Sequence, residues 1–290
     1  MVLEKYEKLR ALIASYGSCI VAYSGGVDSV FLAFVARDVL GGKSLAVIAD
    51  SPSLPRRELE DALALGKQFA IPVRVVRTKE FENPAYVSNP NNRCYFCKQE
   101  LFTHLAPLAR AEGFAVLAYG ENASDVGDYR PGAQAAAEFK VRAPLKEAGL
   151  TKAEIRELSA KFGLPTADKP QMACLSSRVP HGEAVTEPKL KMIEAAENAL
   201  RDLGFYDVRV RHHELGGASG SHLARIEVGP DEVARLMDGA LSAEVAQALK
   251  KIGYAHVTVD LQGYRRGSLN RFDKVSDPPS SKALRQAGKV

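Results

Sequence analysis

The feature that most constrains this chain is an apolar run, Cys19-Ile20-Val21-Ala22-Tyr23, that passes directly into Ser24-Gly25-Gly26-Val27-Asp28-Ser29 and then into an apolar helical pattern over residues 29–40. A β-branched run followed by a glycine-rich turn and a helix specifies a buried strand, a tight loop and a helix whose first amides face that loop. Such a loop binds anions, because successive N–H groups and the positive end of the helix converge on one point. The glycines permit close backbone approach, the serines add hydroxyl donors, and Asp28 is suited to hold Mg²⁺ between phosphate oxygens. The Gly-Lys-Ser/Thr ending of a Walker A sequence is missing, which argues against transfer of a terminal phosphoryl group. Cleavage of ATP between its α and β phosphates fits better, and the competing reading is a plain Gly-Ser turn.

The strand-then-helix rhythm continues, and it predicts a parallel sheet covered by helices. Strands are expected at 45–49, 73–76 and 115–119, with helices from Pro55 through 69 and over 97–112. Residues 79–93 and the Gly- and Asp-rich stretch through Gly132 read as loops. Thr151-Lys152-Ala153-Glu154 matches a capping box for a helix to 161, which Gly163-Leu164-Pro165 ends. Residues 170–180 lack periodicity and read as a loop at a domain junction. Beyond Thr186 the pattern is helix, strand (206–212), strand (222–228), helix (231–250), strand (255–261), a small α+β domain. The expected domains are 1–168, 169–275 and a flexible tail at 276–290.

A chain of 290 residues, 46% hydrophobic and 26% charged, can bury a full core. Its net charge of +4 is scattered rather than gathered into a run, which favours anionic substrates and gives little support to a nucleic-acid partner. The amino terminus carries acids and no apolar h-region, so it reads as an amphipathic helix rather than a signal peptide, and no stretch is long and apolar enough to span a membrane. A cytoplasmic setting follows, and there four cysteines suggest metal or chemistry before disulfides.

Cys19 lies in a strand pattern and reads as core. Cys94-Tyr95-Phe96-Cys97 places two thiols within reach of one metal or cluster, and Cys174 lies in the aperiodic Met172-Ala173-Cys174-Leu175-Ser176-Ser177-Arg178. Three thiolates can hold an iron–sulfur cluster with one iron open, whereas structural zinc takes four protein ligands. The residues alone also allow a redox pair, half a zinc site completed by His104, or inert thiols.

The Ser24 to Ser29 loop resembles the signature of the pyrophosphate-loop (PP-loop) ATP pyrophosphatases over residues 18–165. That resemblance implies a doubly wound parallel sheet, here followed by the smaller α+β domain, and an enzyme that makes an adenylate and releases pyrophosphate. It further implies adenosine near Ala22, Ser24, Asp50 and Ser51, although Asp50 and Ser51 could equally cap the helix near Pro55. Asn92-Arg93-Cys94-Tyr95-Phe96-Cys97-Lys98, Gly127-Asp128-Tyr129-Arg130-Pro131-Gly132 and Ala173-Cys174-Leu175-Ser176-Ser177-Arg178 look like the LarE-type sulfur transferases, over nearly the whole chain. That family adenylates the carboxylates of pyridinium-3,5-biscarboxylic acid mononucleotide and replaces them with thiocarboxylates for a nickel-pincer nucleotide cofactor. In one branch a cysteine aligned with Cys174 gives up its sulfur. In the other, three cysteines hold a [4Fe-4S] cluster, and the presence of Cys94, Cys97 and Cys174 resembles that branch.

By the same resemblance Lys98 lies near the phosphates or the activated carboxylate, and Arg130 contacts ATP or substrate phosphate. Arg178 holds a substrate carboxylate or raises the thiolate fraction of Cys174. Arg209 and Arg211 leave one strand face and can clamp an anion, which the resemblance makes a substrate-phosphate site, with Glu197 a metal or oligomer-interface contact. Neighbouring His212 and His213 face opposite ways and do not share a metal. The family implies a homo-oligomer. The rival activities are a tRNA thiolase, an ammonia-using amide ligase and a nucleotide-binding protein without turnover.

Overall fold

The computed structural model describes residues 2–125, 127, 130–170, 173–216 and 220–265. Helix α1 (Val2–Tyr16) buries Tyr6, Leu9, Ile13 and Tyr16, the spacing of one helical face. Strand β1 (Cys19–Ala22) leads into α2 (Val27–Leu40), then β2 (Ser44–Asp50), α3 (Arg56–Gln68) and β3 (Val73–Arg77). A short α4 (Pro84–Val87) precedes α5 (Arg93–Glu112), β4 (Val116–Tyr119), α6 (Pro131–Glu138), α7 (Pro144–Glu147) and α8 (Lys152–Lys161). The four strands form a parallel sheet in the order β3-β2-β1-β4.

That sheet is covered on both faces, as the alternation within β1 requires. Cys19 and Val21 pack with α1, α2 and α8, while Ile20 and Ala22 pack with Leu101, Phe102 and Leu105 of α5 and with Ala135 and Ala136 of α6. This is the expected doubly wound α/β fold. The strand order runs outward from β1 to β3 and then returns to β4 on the other side of β1. The reversal opens a crevice beyond the carboxyl ends of β1 and β4, where such folds place their ligands.

Several boundaries differ from the sequence reading. Residues 79–93, expected as loop, contain a 3-10 turn (Glu80–Glu82) and α4, whose first turn is capped by Asn83 Oδ1 accepting from Ala85 N at 2.9 Å. Helix α5 starts at Arg93 rather than 97, so Cys94 and Cys97 both lie on its opening turns. The expected loop through Gly132 yields to α6, with Pro131 at its first position, where a missing N–H costs nothing. The capping box is present: Glu154 N donates to Thr151 Oγ1 at 3.3 Å and Thr151 N to Glu154 Oε2 at 2.8 Å.

The chain divides between Asn198 and Ala199 into two compact units, not at 168/169 as expected. Segment 173–198 stays with the first unit because its backbone is bonded there. Leu175 N donates to Ser53 O at 2.8 Å, Gly182 N to Asn89 O at 3.0 Å and Val185 N to Val87 O at 2.9 Å. Leu175, Val179, Val185, Leu190 and Ile193 form their own buried cluster beneath Phe81. The last two of these belong to α9 (Glu187–Asp202), within which the division falls.

The second unit carries β5 (Arg209–Glu214), β6 (His222–Glu227), α10 (Val233–Leu236), α11 (Gly239–Ile252) and β7 (His256–Val259). Its sheet has the order β5-β6-β7, antiparallel and then parallel. The single helix expected over 231–250 is broken at Asp238, whose carboxylate accepts from Ala240 N and Leu241 N and so starts α11 afresh. The expected chemistry-free loop around residues 217–219, the tail at 276–290, and Asp128, Tyr129 and Met172 lie outside the described residues. No helix among the described residues is long and apolar enough to cross a membrane.

Candidate active site

The phosphate loop begins where β1 ends. Gly25 has φ +72°, and a Cβ there would stand 2.9 Å from Ala62 Cβ of α3, so only glycine fits. Gly26 occupies the N-cap of α2 in extended conformation, with no side-chain cap, leaving the first amides of α2 to a ligand. Ser29 braces the turn: its Oγ accepts from Ser24 N at 3.1 Å, meets Ser24 Oγ at 3.0 Å and donates to Gly26 O at 3.0 Å. Ala22 ends β1, and Ser24 follows in the loop at that end of the strand.

Asp28 lies in the first turn of α2. Its Oδ2 accepts from Lys152 Nζ at 2.6 Å, while its Oδ1 is buried and has no hydrogen-bond partner among the described residues. Burial raises the Asp28 carboxyl above its ordinary value and Lys152 opposes the shift. A carboxylate with one oxygen committed and one buried and open fits a divalent cation. On the other side of the loop Lys169 pairs with Glu58 at 2.6 Å and reaches Gly25 O at 3.5 Å. The β4 side of the crevice is equally close. A Cβ on Gly120 would meet Ser29 N at 3.0 Å and Asp28 Cβ at 3.1 Å.

Asp50 and Ser51 do not cap α3, whose N-cap is Pro55. Asp50 Oδ1 takes Arg56 Nη1 at 2.5 Å, and Ser51 Oγ accepts from Ser53 N at 3.2 Å. Ser53 leads onward to the cysteines. Ser53 Oγ, Tyr86 OH and Ser176 Oγ form a buried triangle of hydroxyls with sides of 2.6, 2.9 and 2.9 Å. The segment leaving β2 is thereby tied to the loop that carries Cys174.

Cys94, Cys97 and Cys174 are free thiols; Cys94 is exposed and the other two are partly exposed. Arg93, 4% exposed, links the start of α5, which carries Cys94 and Cys97, to the loop that carries Cys174. Its Nη1 donates to Ser176 O at 2.9 Å and to Asn89 Oδ1. Burial lowers the Arg93 guanidinium, but Cys174, Cys94, Tyr86 and Cys97 outweigh it and hold the group above its ordinary value. The Cys97 thiol is pushed up to about 12, by burial first and then by Cys174 and Glu80, with Lys98 opposing. The Lys98 ammonium lies 5.9 Å from the Phe102 ring centre, and a Cβ on Gly132 of α6 would meet the Lys98 stem at 3.0 Å.

Among the described residues no group of three or more His, Cys, Asp or Glu could hold a single metal ion. A cluster differs in that each thiolate binds its own iron and the sulfurs need not converge. His104, seven residues and about 10 Å along α5 from Cys97, bonds to Glu100 Oε1 at 2.9 Å and completes no zinc site with Cys94 and Cys97. Cys19 is core, 1% exposed, its thiol pushed up to about 12 by burial.

Other expected roles meet their neighbours differently. Arg178 is fully buried, paired through Nε and Nη2 with both oxygens of Glu197 at 2.7 and 3.0 Å. Its Nη1 donates to Ala173 O at 2.6 Å and Cys174 O at 3.1 Å, so it holds the cysteine loop's backbone rather than presenting a charge to a substrate carboxylate. Glu197, also 0% exposed, has both oxygens engaged, which closes the metal and interface roles to it here. Arg130 pairs with Asp125 near the end of β4. Arg209 and Arg211 share a face as expected, yet are 2% and 5% exposed. Arg209 bonds to Asp207 at 2.9 Å beneath Tyr264, and Arg211 to Glu227 at 2.6 Å. A phosphate arriving there has to displace carboxylates. His212 and His213 face opposite ways, His212 toward Tyr254 OH at 3.1 Å and His213 toward Arg225.

The sequence reading missed Gly120, Lys152, Lys169, Arg93 and the Ser53–Tyr86–Ser176 triangle. Only Gly120 carried a local signal, a glycine directly after a strand.

The family model for NAD synthase matches residues 4–93, the stretch that contains the phosphate loop and the first three strands. An uncharacterised protein of Synechocystis is 45% identical over 93% of this chain and 98% of its own length. The pyridinium-3,5-bisthiocarboxylic acid mononucleotide synthase of Lactiplantibacillus plantarum is 32% identical over 86% of this chain and 88% of that protein. An uncharacterised protein of Methanocaldococcus jannaschii is 26% identical over 85% and 90%.

Proposed function

The chain belongs to the family of the pyridinium-3,5-bisthiocarboxylic acid mononucleotide synthases, ATP-using enzymes of the pyrophosphate-loop class, and from that premise we propose that it is an ATP-dependent sulfur transferase making this thiocarboxylate cofactor precursor. The observation that carries the reading is the 2.9 Å bond from Arg93 Nη1 to Ser176 O, which joins the start of α5, bearing Cys94 and Cys97, to the loop of Cys174 within the unit that holds the phosphate loop.

ATP lies with its phosphates on the amides of residues 24–29 and its adenosine toward Ala22 and Ser51. A carboxylate oxygen of pyridinium-3,5-biscarboxylic acid mononucleotide attacks the α-phosphorus, the bond to the β-phosphate oxygen breaks, and pyrophosphate leaves. The loop amides stabilise the charge that develops on it. This activation is needed because a carboxylate has only oxide to expel, whereas the acyl-adenylate expels AMP. A sulfur nucleophile presented at the three cysteines then attacks the acyl carbon; the C–S bond forms as the C–O bond to AMP breaks. Asp28, through its open oxygen, would hold Mg²⁺, which neutralises phosphate charge. Cys94, Cys97 and Cys174 would hold a [4Fe-4S] group, which would supply sulfide for the displacement. Lys98 offsets negative charge at the same place. Cys174 is read as a ligand to that group rather than a consumed reagent.

The test is anaerobic purification with iron and labile-sulfide analysis, then reaction with Mg-ATP and the pyridinium biscarboxylate and mass measurement of product and chain. Expected are AMP, pyrophosphate and thiocarboxylate, with iron present and chain mass unchanged. Absence of both AMP and pyrophosphate sinks the enzyme reading. Loss of hydrogen sulfide from Cys174 in iron-free protein replaces the cluster with the sacrificial route. Thiolation of tRNA in place of the pyridinium nucleotide overturns the substrate assignment.

A further inference from the structure

Two lysines flank the phosphate loop, each held by one carboxylate. Lys152, at the first position of α8, reaches across 124 residues of sequence to Asp28 Oδ2 at 2.6 Å. Lys169 lies 2.6 Å from Glu58 Oε2 and 3.5 Å from Gly25 O. Neither is sealed in: their side chains are 30% and 16% exposed.

We infer that Lys152 and Lys169 are ligands of the β- and γ-phosphates of ATP, and then of the leaving pyrophosphate, exchanging Asp28 and Glu58 for phosphate oxygens. The inference rests on the reading of residues 24–29 as the ATP site.

Their backbones are fixed, and their ammonium groups end flexible stems. The main chain at Lys152 is set by the capping box of α8 and by its N–H bond to Ser124 Oγ at 3.0 Å. The carbonyl of Lys169 accepts from Arg156 Nη2 at 2.7 Å, and its N–H donates to Thr166 O at 3.1 Å. A lysine head is a compact point charge on a flexible stem, suited to exchanging one anion for another without reshaping the loop.

Charge accounts for the exchange. Two ammonium groups oppose two carboxylates beside the loop, so each lysine has an anion to exchange. A metal–triphosphate brings a divalent cation for the open oxygen of Asp28, and that cation repels the ammonium on the other oxygen. It also brings phosphate oxygens, to which the displaced lysine can turn. In cleavage between the α and β phosphates, negative charge grows on the departing pyrophosphate, and a cation already within reach stabilises the transition state most. The residues assigned from the sequence supply amides, hydroxyls and Mg²⁺ to that group; the lysines add the fixed positive charge that the missing Walker lysine supplies elsewhere.

The test is calorimetric titration of the full chain with Mg-ATP, Mg-pyrophosphate and AMP, for wild type, Lys152→Met, Lys169→Met, Lys152→Arg and Glu58→Gln. Each methionine variant is expected to weaken Mg-ATP and Mg-pyrophosphate by at least about tenfold, a difference of about 1.4 kcal/mol, while AMP binding stays within about twofold. Lys152→Arg recovers part of the loss, and Glu58→Gln, which removes the competitor of Lys169, tightens pyrophosphate. Unchanged affinity for Mg-ATP and Mg-pyrophosphate overturns the inference. So does an equal loss for AMP, which marks a distorted loop. If Lys152→Met does not fold, Lys169→Met and Glu58→Gln decide by the same criteria. Failure of wild type to bind either phosphate ligand overturns instead the ATP reading on which the inference rests.

Discussion

Arg178 and Glu197 form a bidentate ion pair at 2.7 and 3.0 Å with neither side chain exposed to solvent, and the remaining face of Arg178 holds the carbonyls of Ala173 and Cys174. A pair taken wholly out of water is balanced only while both partners are present. Arg178→Met or Glu197→Gln is therefore expected to destabilise the protein by about 3–5 kcal/mol. The double variant should cost less than the sum, because removing both charges leaves none stranded. Denaturant unfolding of the four proteins checks this, and additive losses would exclude the coupling.

The same geometry separates positioning from chemistry. Arg178→Lys keeps a charge near Glu197 but cannot reproduce the fork that spans a carboxylate and two carbonyls. Pyrophosphate exchange in the presence of the pyridinium biscarboxylate, which needs adenylation but no sulfur, should persist, while thiocarboxylate formation falls by at least about tenfold, or about 1.4 kcal/mol. Equal loss of both activities would assign Arg178 to the adenylation step.

Tyr86 closes the hydroxyl triangle that joins the β2 side to the cysteine loop. In Tyr86→Phe, Ser53 and Ser176 retain their mutual 2.9 Å bond, so the expected cost is modest, about 1–3 kcal/mol for two lost hydrogen bonds. Alkylation of Cys174, followed by peptide mass measurement, should be faster in this variant as the loop loosens. An unchanged rate would show that the hydroxyl of Tyr86 does not restrain the loop.

What the sequence disclosed follows from the range of each interaction. The loop, β1 and the capping box are local, set by neighbours within about four residues, and Ser24 to Ser29 and Thr151 could be read directly. The cover on both sheet faces followed from the strand-then-helix rhythm and the unbroken apolar run from Cys19 to Tyr23. Pairings distant in sequence left no periodic trace. Nothing in Lys152 points to Asp28, and Arg178 beside Cys174 looks available until Glu197 is seen across from it. The start of α5 was missed because Tyr95 and Phe96 are adjacent in its first turn and set no i, i+3, i+4 stripe. The unit boundary was misplaced because the aperiodic stretch at 170–180 resembles a linker, although Leu175 N bonds to Ser53 O.

Gly120 makes a prediction that the loop motif alone would not suggest. It is the close-approach residue of β4 against the amino end of α2, with 3.0 Å from a built Cβ to Ser29 N. Gly120→Ala should press on the amides that face the phosphates, costing about 1–3 kcal/mol in stability and weakening Mg-ATP. Gly25→Ala should be worse, since it adds a left-handed φ to a 2.9 Å contact with Ala62. Nucleotide titration beside thermal unfolding checks both, and wild-type ATP affinity in Gly120→Ala would show that α2 can shift freely.

Acid sensitivity should trace to two glutamates of the first unit. Glu147 accepts Arg142 Nε at 2.9 Å and Ala143 N at 3.1 Å, and Arg142 holds its carboxyl below the ordinary 4.5. Glu154 accepts Lys5 Nζ at 2.7 and 2.9 Å on the two oxygens and is lowered by that contact first, then by Thr151 N. A carboxyl depressed in the folded state contributes stability that is fully present above the unfolded value. That contribution is lost as pH falls through the folded one. Wild-type melting temperature should therefore drop on going from about pH 6 to about pH 3 more steeply than that of Glu147→Gln/Glu154→Gln. The two proteins should converge at the acid end, because glutamine at position 154 can still serve the capping box. Parallel curves would remove these pairs from the acid response and assign it to other carboxylates.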